Sequence, residues 1–430
     1  MDRGLDQRIH QLFQSASQAF ESGRPEQGEQ LLRQAEAEAP RHPLVVNESA
    51  RRMLNAGNWA GAQELLGQAL REDPSYPALW LNLAAACRGL NRGDDELAAL
   101  NRVLALEPRN LRALLQLGSL QEIQGRARAA AATYHTALQL VPRGIQPPLT
   151  MQAALQHARE TVEANDRALE TFLESRLKDL RGQFAGEPLG RFDRCLEILL
   201  RKQPIYRQQP TFMYFPNLPV IEFHERGNFP WLDSIEAATD DIRAEMLNVL
   251  AQDSAKLQPY ISLPETTPLA QWRELNHSRR WSVYYLWREG VAVTENLARC
   301  PRTAEALKAW PQCDVPGYSP SAVFSILDAK TRIPPHTGVT NTRLIAHLPL
   351  VIPPGCGFRV GGKRREWQPG KAFVFDDTIE HEAWNDSDVP RAVLIFDIWS
   401  PYLSAAEREM VRKATIAVGE YYGTRPYAEG

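Results

Sequence analysis

The sequence predicts a chain in two parts: an all-α repeat solenoid at the N-terminus and, behind it, a double-stranded β-helix of the jelly-roll or cupin kind with flanking helices. Three observations carry this. Small residues, turn glycines and prolines recur every 34 residues over the first third. The apolar period falls from helical to two after about residue 280. At 430 residues the chain is also too long for one ordinary domain.

The repeat comes first. Pro40, Pro74, Pro108 and Pro142 stand 34 residues apart. The same period carries Gly23, Gly57, Asn91 and Gly125. It also carries Ala16, Ala50, Ala84 and Gly118, and Ala35, Ala69 and Ala137. Each unit reads as a helical hairpin. The small residues let two helices approach closely. The glycines supply a positive φ at the turn, a state that Asn91 also tolerates. The prolines cannot continue a helix and close each unit. Glu96 and Val103 make the third unit the weakest, because small residues are usual at their positions. The period and its columns resemble the tetratricopeptide repeat, here about four units over residues 7–145. Such hairpins bury their apolar faces by stacking, which builds a concave surface. That surface is expected to bind a peptide or protein partner; a dimerisation or spacer role is the alternative.

Residues 146–204 continue at helical spacing and are expected to cap the solenoid. The proline-bearing stretch "RKQPIYRQQPTFMYFPNLP" marks the boundary near 205, and the second domain runs over 205–425. Within it, segments 281–287, 322–327, 342–352, 357–362, 371–377 and 391–399 read as short strands between Gly, Pro and Asn clusters. Helices are expected over 232–256 and 403–419, outside the sandwich. Alternation sorts "TRLIAHLPL" into two faces. Arg343, Ile345 and His347 point one way, into a polar cavity. Leu344, Ala346 and Leu348 point the other, against helices.

Three of the nine histidines sit in this region: His336, His347 and His381. His336 is expected to begin a strand and His381 to follow one. Two neutral imidazoles at strand ends suit Fe, Zn, Cu or Ni. Arg391, ten residues beyond His381, opens the apolar strand "RAVLIFDIW", where its planar fork suits a carboxylate. Together they describe an Fe(II) centre with a dicarboxylate co-substrate. The plainer alternatives are hydrogen-bonded histidines near turns and an Arg391 paired with Asp397 or Asp377. Glu380 and Glu382 lean away from His381 along a strand. Asp376 and Asp377 read as turn caps or as groups that orient a histidine.

Composition excludes several classes. A formal net charge of −3 gives no case for nucleic acid. No apolar run reaches the length of a membrane span. The five cysteines form no C-x-x-C pair, and the start, "MDRGLDQRIHQLFQ", has no secretory h-region. A cytoplasmic location is expected.

The motifs "MYFPNLP", "FPWLDSIEA", "RWSVYYLWREG", "FSIL", "PPHTGVTNTRLIAHLPLVIP", "REWQPGKAFVFDDTIEHEAWN" and "RAVLIFDIWSP" together resemble the aspartyl/asparaginyl β-hydroxylase family. The resemblance covers about residues 211–403. It implies a dioxygenase that uses Fe(II), 2-oxoglutarate and O2 to hydroxylate an unactivated carbon. It implies His336 and His381 as the metal ligands and catalytic centre. Arg391 and Ser325 then hold the distal carboxylate of 2-oxoglutarate, and His347 meets its C1 carboxylate. Trp281 and Arg343 line the co-substrate or substrate side. The family lacks the carboxylate of the usual 2-His-1-carboxylate triad, and Gly338 stands in its place. The sequence departs from the vertebrate-type pattern at Ile345, where a second arginine is expected. The leading expectation is hydroxylation of a peptide or protein substrate of the Asp/Asn type, with the repeats recruiting it. A small molecule or lipid acyl chain is the alternative substrate. A non-catalytic repeat adaptor with a 2-oxoglutarate-binding module is the alternative of another class.

Overall fold

The computed structural model describes residues 3–141, 147–264 and 271–423, which divide into two compact units, Met1–Asp193 and Arg194–Gly430. In the first unit the 34-residue columns become four helical hairpins: α1 (Arg3–Glu21) with α2 (Pro25–Glu38), α3 (Pro43–Asn55) with α4 (Trp59–Glu72), α5 (Pro77–Gly89) with α6 (Gly93–Leu106), and α7 (Leu111–Ile123) with α8 (Ala127–Gln139). The turn residues Gly23, Gly57, Asn91 and Gly125 hold φ of 70°, 75°, 56° and 72°. Helices α2, α4 and α6 stop just short of Pro40, Pro74 and Pro108, whereas Pro142 lies outside the described residues.

The small column is a steric requirement. A Cβ on Gly118 would meet the Tyr134 ring at 2.4 Å. Clusters of buried residues bridge consecutive hairpins, as Val46, Ala50, Leu66, Leu79 and Ala86 do. The weak third unit is repaired electrostatically. Buried Glu96 accepts a hydrogen bond from Arg88 Nε at 2.7 Å, and Arg88 also donates to the Gln116 carbonyl. A buried carboxylate is tolerated when paired in this way. The long helix α9 (Leu149–Gln183) sets Leu155, Ala158 and Val162 against Leu114, Tyr134 and Ala137 of the last hairpin.

The second unit begins within α10 (Gly190–Leu199) and is built on two antiparallel sheets. Its strands are β1 (Gln258–Pro259), β2 (Trp281–Arg288), β3 (Val291–Ala292), β4 (Ala322–Leu327), β5 (Thr331–His336), β6 (Arg343–Val351), β7 (Cys356–Val360), β8 (Lys363–Arg365), β9 (Phe373–Phe375), β10 (His381–Asn385) and β11 (Arg391–Trp399). The large sheet runs β1-β2-β4-β11-β6-β9 with β3 paired to β2, and the small one runs β5-β10-β7-β8. The sequence expectation is corrected at β5: His336 ends a strand rather than beginning one. "TRIPPH" carries two prolines, which disguise a strand. They are tolerated because β5 is the edge of the small sheet. His381 does follow a strand, β9, but itself opens β10.

Helices α11 (Leu232–Ala237), α12 (Thr239–Gln252), α13 (Thr294–Arg299) and α14 (Pro301–Ala306) cover one face of the large sheet. Ile242, Met246 and Val249 of α12 pack there against Leu344, Ala346 and Leu348 of β6. A final helix, α15 (Ala405–Tyr422), starts from Ser404 with a reciprocal capping box to Glu407. The other face of the large sheet meets the small sheet over a second core that includes Leu327, Phe358, Trp367, Phe375 and Val393. With its inner face turned to this gap, β6 presents Arg343, Ile345 and His347, as alternation requires.

Candidate functional site

A cavity of about 450 Å³ opens between the two sheets. All seven residues singled out from the sequence, Trp281, Ser325, His336, Arg343, His347, His381 and Arg391, line it. They come from β2, β4, β5, β6, β10 and β11, so the rigid walls of the sandwich set their positions.

The histidine pair is made by strand register. His381 of β10 lies directly opposite His336 of β5, and the ring centroids are 4.0 Å apart. Each ring is fixed by its own backbone: His336 Nδ1–H donates to the Pro334 carbonyl at 2.8 Å and His381 Nδ1–H to the Ile379 carbonyl at 3.1 Å. With Nδ1 carrying the proton, Nε2 keeps its lone pair for the cavity, the arrangement a metal ligand needs. Burial holds both rings neutral. It pushes His336 down to about 4, and it drives His381, beside His336, well below the usual imidazole range. Trp272 and Trp281 back His336 at 5.1 and 6.4 Å between centroids, and Trp281 stacks on Tyr260 at 4.0 Å.

Arg391 is 1% exposed, and its Nε and Nη1 have no hydrogen-bond partner. Its guanidinium lies over Trp367 at 4.4 Å, a support that the sequence reading missed. Burial pushes its pKa down to about 10. His347 is buried too, with Nδ1 unpartnered among the rings of Phe358, Phe373, Phe375 and Trp367. Burial, and then the charge of Arg391, hold His347 neutral. Nearby, Trp281 Nε1–H donates to Ser325 Oγ at 3.1 Å. An indole can only donate, so the serine's own O–H is left to donate elsewhere. A carboxylate set against Arg391 and Ser325 would satisfy what this end of the cavity lacks.

Asp397 and Asp377, the two carboxylates weighed as partners of Arg391, pair with Arg343 instead. Arg343 Nη1 donates to Asp397 at 2.8 Å, and Nη2 lies 3.8 Å from Asp377. Asp376 caps its turn through the N–H and hydroxyl of Thr378. Glu380 and Glu382 turn outward to Arg359. At Gly338 the space for a side chain is already filled. A Cβ there would lie 2.1 Å from Asp377 Oδ2, and the Gly338 N–H donates to the Asp377 carbonyl at 2.7 Å. The carboxylate of Asp377 therefore occupies the volume that a carboxylate at 338 would need.

Acid should unfold this unit early. Burial lowers His224 and His336 to about 4, and His347 and His381 are well below 6.5. The unfolded chain binds protons on these groups near pH 6.5 while the folded chain does not. Stability is therefore full above that pH and is lost as pH falls toward about 4. Unfolding free energies from urea titration should fall between pH 7 and pH 5, by up to about 1.4 kcal/mol per pH unit for each histidine. A flat profile would contradict the neutral, buried imidazoles.

The fold and cavity define a class: a jelly roll whose facing strands converge two neutral imidazoles and an unpaired arginine. Residues 236–401 match the family model "Aspartyl/Asparaginyl beta-hydroxylase", and residues 53–95 match a tetratricopeptide repeat model. The second unit thus carries an aspartyl/asparaginyl beta-hydroxylase domain, and tetratricopeptide repeats precede it. Among curated relatives, human aspartate beta-hydroxylase domain-containing protein 2 is 30% identical over 47% of this chain and 53% of its own length. The ornithine lipid ester-linked acyl 2-hydroxylase of Rhizobium tropici is 34% identical over 43% of this chain and 62% of its own. Human aspartyl/asparaginyl beta-hydroxylase is 34% identical over 43% of this chain and 23% of its own. The match thus spans less than two thirds of each of these relatives. No helix among the described residues is long and apolar enough to cross a membrane.

Proposed function

We propose that the second unit is an Fe(II)/2-oxoglutarate-dependent hydroxylase. One observation carries this reading: two imidazoles with Nδ1 tied to backbone carbonyls share a cavity with a buried arginine whose Nε and Nη1 have no partner. His336 and His381 hold the metal through Nε2. Arg391 and the Ser325 hydroxyl take the distal carboxylate of 2-oxoglutarate, and His347 meets its C1 carboxylate. Iron, with 2-oxoglutarate and O2, supplies an oxidant able to hydroxylate an unactivated C–H bond. The chain's own part is positional. Trp281 orients the Ser325 hydroxyl, the Arg343–Asp397–Asp377 group braces the wall beside Gly338, and Ile333, Phe358 and Phe375 exclude water. The substrate class that follows from the domain is a peptide or protein of the Asp/Asn type, brought by the repeats. Succinate release with Fe(II), 2-oxoglutarate and candidate peptides should fall at least ~100-fold in His381→Ala. Equal release in both proteins would leave the domain a binding module in a repeat adaptor.

A second reading of the substrate is favoured by the charge balance of the cavity. Among the described residues lining the cavity, the cations are Arg343 and Arg391. The first is neutralised by two aspartates and the second is reserved for the co-substrate. Ile345, Ile395 and Val323 add apolar surface on the same sheet. This suits an uncharged target, such as the acyl chain named in the Rhizobium relative. Ile345→Arg then separates the readings. If the natural target is apolar, the variant should lose turnover on acyl substrates and gain about tenfold on an aspartate-bearing peptide. Unchanged preference would remove Ile345 from the specificity argument.

A further inference from the structure

A segment that precedes the matched residues 236–401 reaches the histidine site. Residues 208–213 lie across two loops. One, residues 337–342, follows His336 out of β5. The other, residues 376–380, leads into His381 of β10. The backbone of this strap bonds to both. Gln209 N–H donates to the Thr378 carbonyl at 2.7 Å. Thr211 N–H donates to the Gly338 carbonyl at 3.1 Å, and the N–H groups of Phe212 and Met213 donate to the Val339 carbonyl at 3.0 and 3.1 Å. The loops also meet directly, where Gly338 N–H donates to the Asp377 carbonyl.

One side chain of the strap joins the same two loops. Gln208 Oε1 accepts a hydrogen bond from Asn341 Nδ2 at 3.0 Å, and Gln208 Nε2 donates to Asp376 Oδ2 at 2.6 Å. A primary amide suits this place because it accepts and donates at one end. A carboxylate only accepts, so the Gln208 nitrogen faces Asp376 and its oxygen meets Asn341. Asn341 is 1% exposed, and its other bonds go to the N–H and carbonyl of Phe215, at 2.7 and 2.9 Å. Asp376 is also 1% exposed, and its Oδ1 accepts from the N–H and hydroxyl of Thr378 at 3.0 and 2.6 Å. Burial raises the pKa of Asp376, and the bonds from Thr378 and Gln208 oppose that rise. The chain Asn341–Gln208–Asp376–Thr378 is thus hydrogen-bonded from end to end. It pins the turn in which Ile379 N–H donates to the Asp376 carbonyl at 3.3 Å and the Ile379 carbonyl takes His381 Nδ1–H. Its other end holds the loop that begins one residue after His336.

We propose that Gln208 is a positioning residue for the histidine pair: it ties the two ligand-bearing loops together and so fixes how His381 faces His336. The inference rests on the reading of His336 and His381 as metal ligands. Hydrogen-bond partners behind metal ligands change metal affinity about 10- to 100-fold when lost. The full chain is titrated with Co(II), an air-stable stand-in for Fe(II), and its unfolding in urea is followed in parallel. Gln208→Met removes both bonds, and Gln208→Glu sets a second carboxylate against Asp376. Each should bind Co(II) at least about tenfold more weakly than the wild type. Gln208→Glu/Asp376→Asn exchanges acceptor and donor at unchanged net charge. The bond is then restored in reverse, and Co(II) affinity should return to within about threefold of the wild type. A merely structural tie would lower the urea midpoint of the single variants and leave their Co(II) affinity unchanged, which would overturn the proposal. So would a double variant that binds no better than Gln208→Glu. His381→Ala tests the metal reading separately. If it alone loses Co(II), the reading stands and the role of Gln208 falls. If the wild type does not bind Co(II), or His381→Ala binds equally well, both fall.

Discussion

Arg391→Met should weaken 2-oxoglutarate binding by at least about 30-fold and yet leave the ligand-free protein at least as stable as the wild type. The buried guanidinium has Nε and Nη1 unpartnered, and burial already depresses its pKa to about 10. Keeping an ion in that state costs several kcal/mol, and the Trp367 ring returns only about 2 kcal/mol of it. Methionine fills a similar volume and keeps a favourable sulfur contact with the indole. The ligand-free variant should therefore unfold at the same midpoint or with up to about 2 kcal/mol more stability. Binding moves the opposite way. Deleting one partner of a desolvated charge pair costs about 2–5 kcal/mol, so affinity for 2-oxoglutarate should fall roughly 30-fold to several thousandfold. The wild type should gain thermal stability on adding 2-oxoglutarate, and the variant should not. Retained binding would show that Arg391 does not hold the co-substrate. A large loss of ligand-free stability would show that its charge is compensated in the fold.

Much of this site was legible because its signals are periodic or confined to a few residues. The repeat columns gave the hairpins directly, down to Asn91 at the one turn without glycine, because a left-handed turn residue is a local requirement. Alternation in β6 separated Arg343, Ile345 and His347 from Leu344, Ala346 and Leu348, since a strand alternates its faces. Partners across space were not legible. A strand pattern says which face a residue takes and is silent about what it meets there. Hence Arg391 and Arg343 were both visible as basic residues, while the assignment of Asp397 and Asp377 to Arg343 depends on sheet register. The same holds for His336 and His381. Their residue types were noted, but the cross-strand pairing that brings them to 4.0 Å needs β5, whose prolines concealed it. Trp367 sits outside the regular strands, where no period predicts position.

Gly338→Asp, which would install the carboxylate of the common iron triad at its usual place, should damage the site. The added Cβ would lie 2.1 Å from Asp377 Oδ2 and 2.3 Å from its Cγ. Asp377 has little freedom to give way. Its carbonyl accepts the Gly338 N–H at 2.7 Å, and its carboxylate lies by Arg343. A second carboxylate in that space adds overpacking to like-charge repulsion, and moving Asp377 disturbs a buried ion pair. The expected cost is about 2–4 kcal/mol in stability and at least ~100-fold in turnover. The decisive comparison is the pair Gly338→Asp/Asp377→Gly, which returns the volume and moves the charge to residue 338. If crowding is the cause, its loss of stability should be well below the sum of the two single losses, a coupling of about 1–3 kcal/mol. Additive losses would mean that glycine is needed for another reason. Recovery of turnover in the double variant would show that the cavity can work with a carboxylate supplied from 338, so that the native chain keeps Gly338 because Asp377 already fills its space.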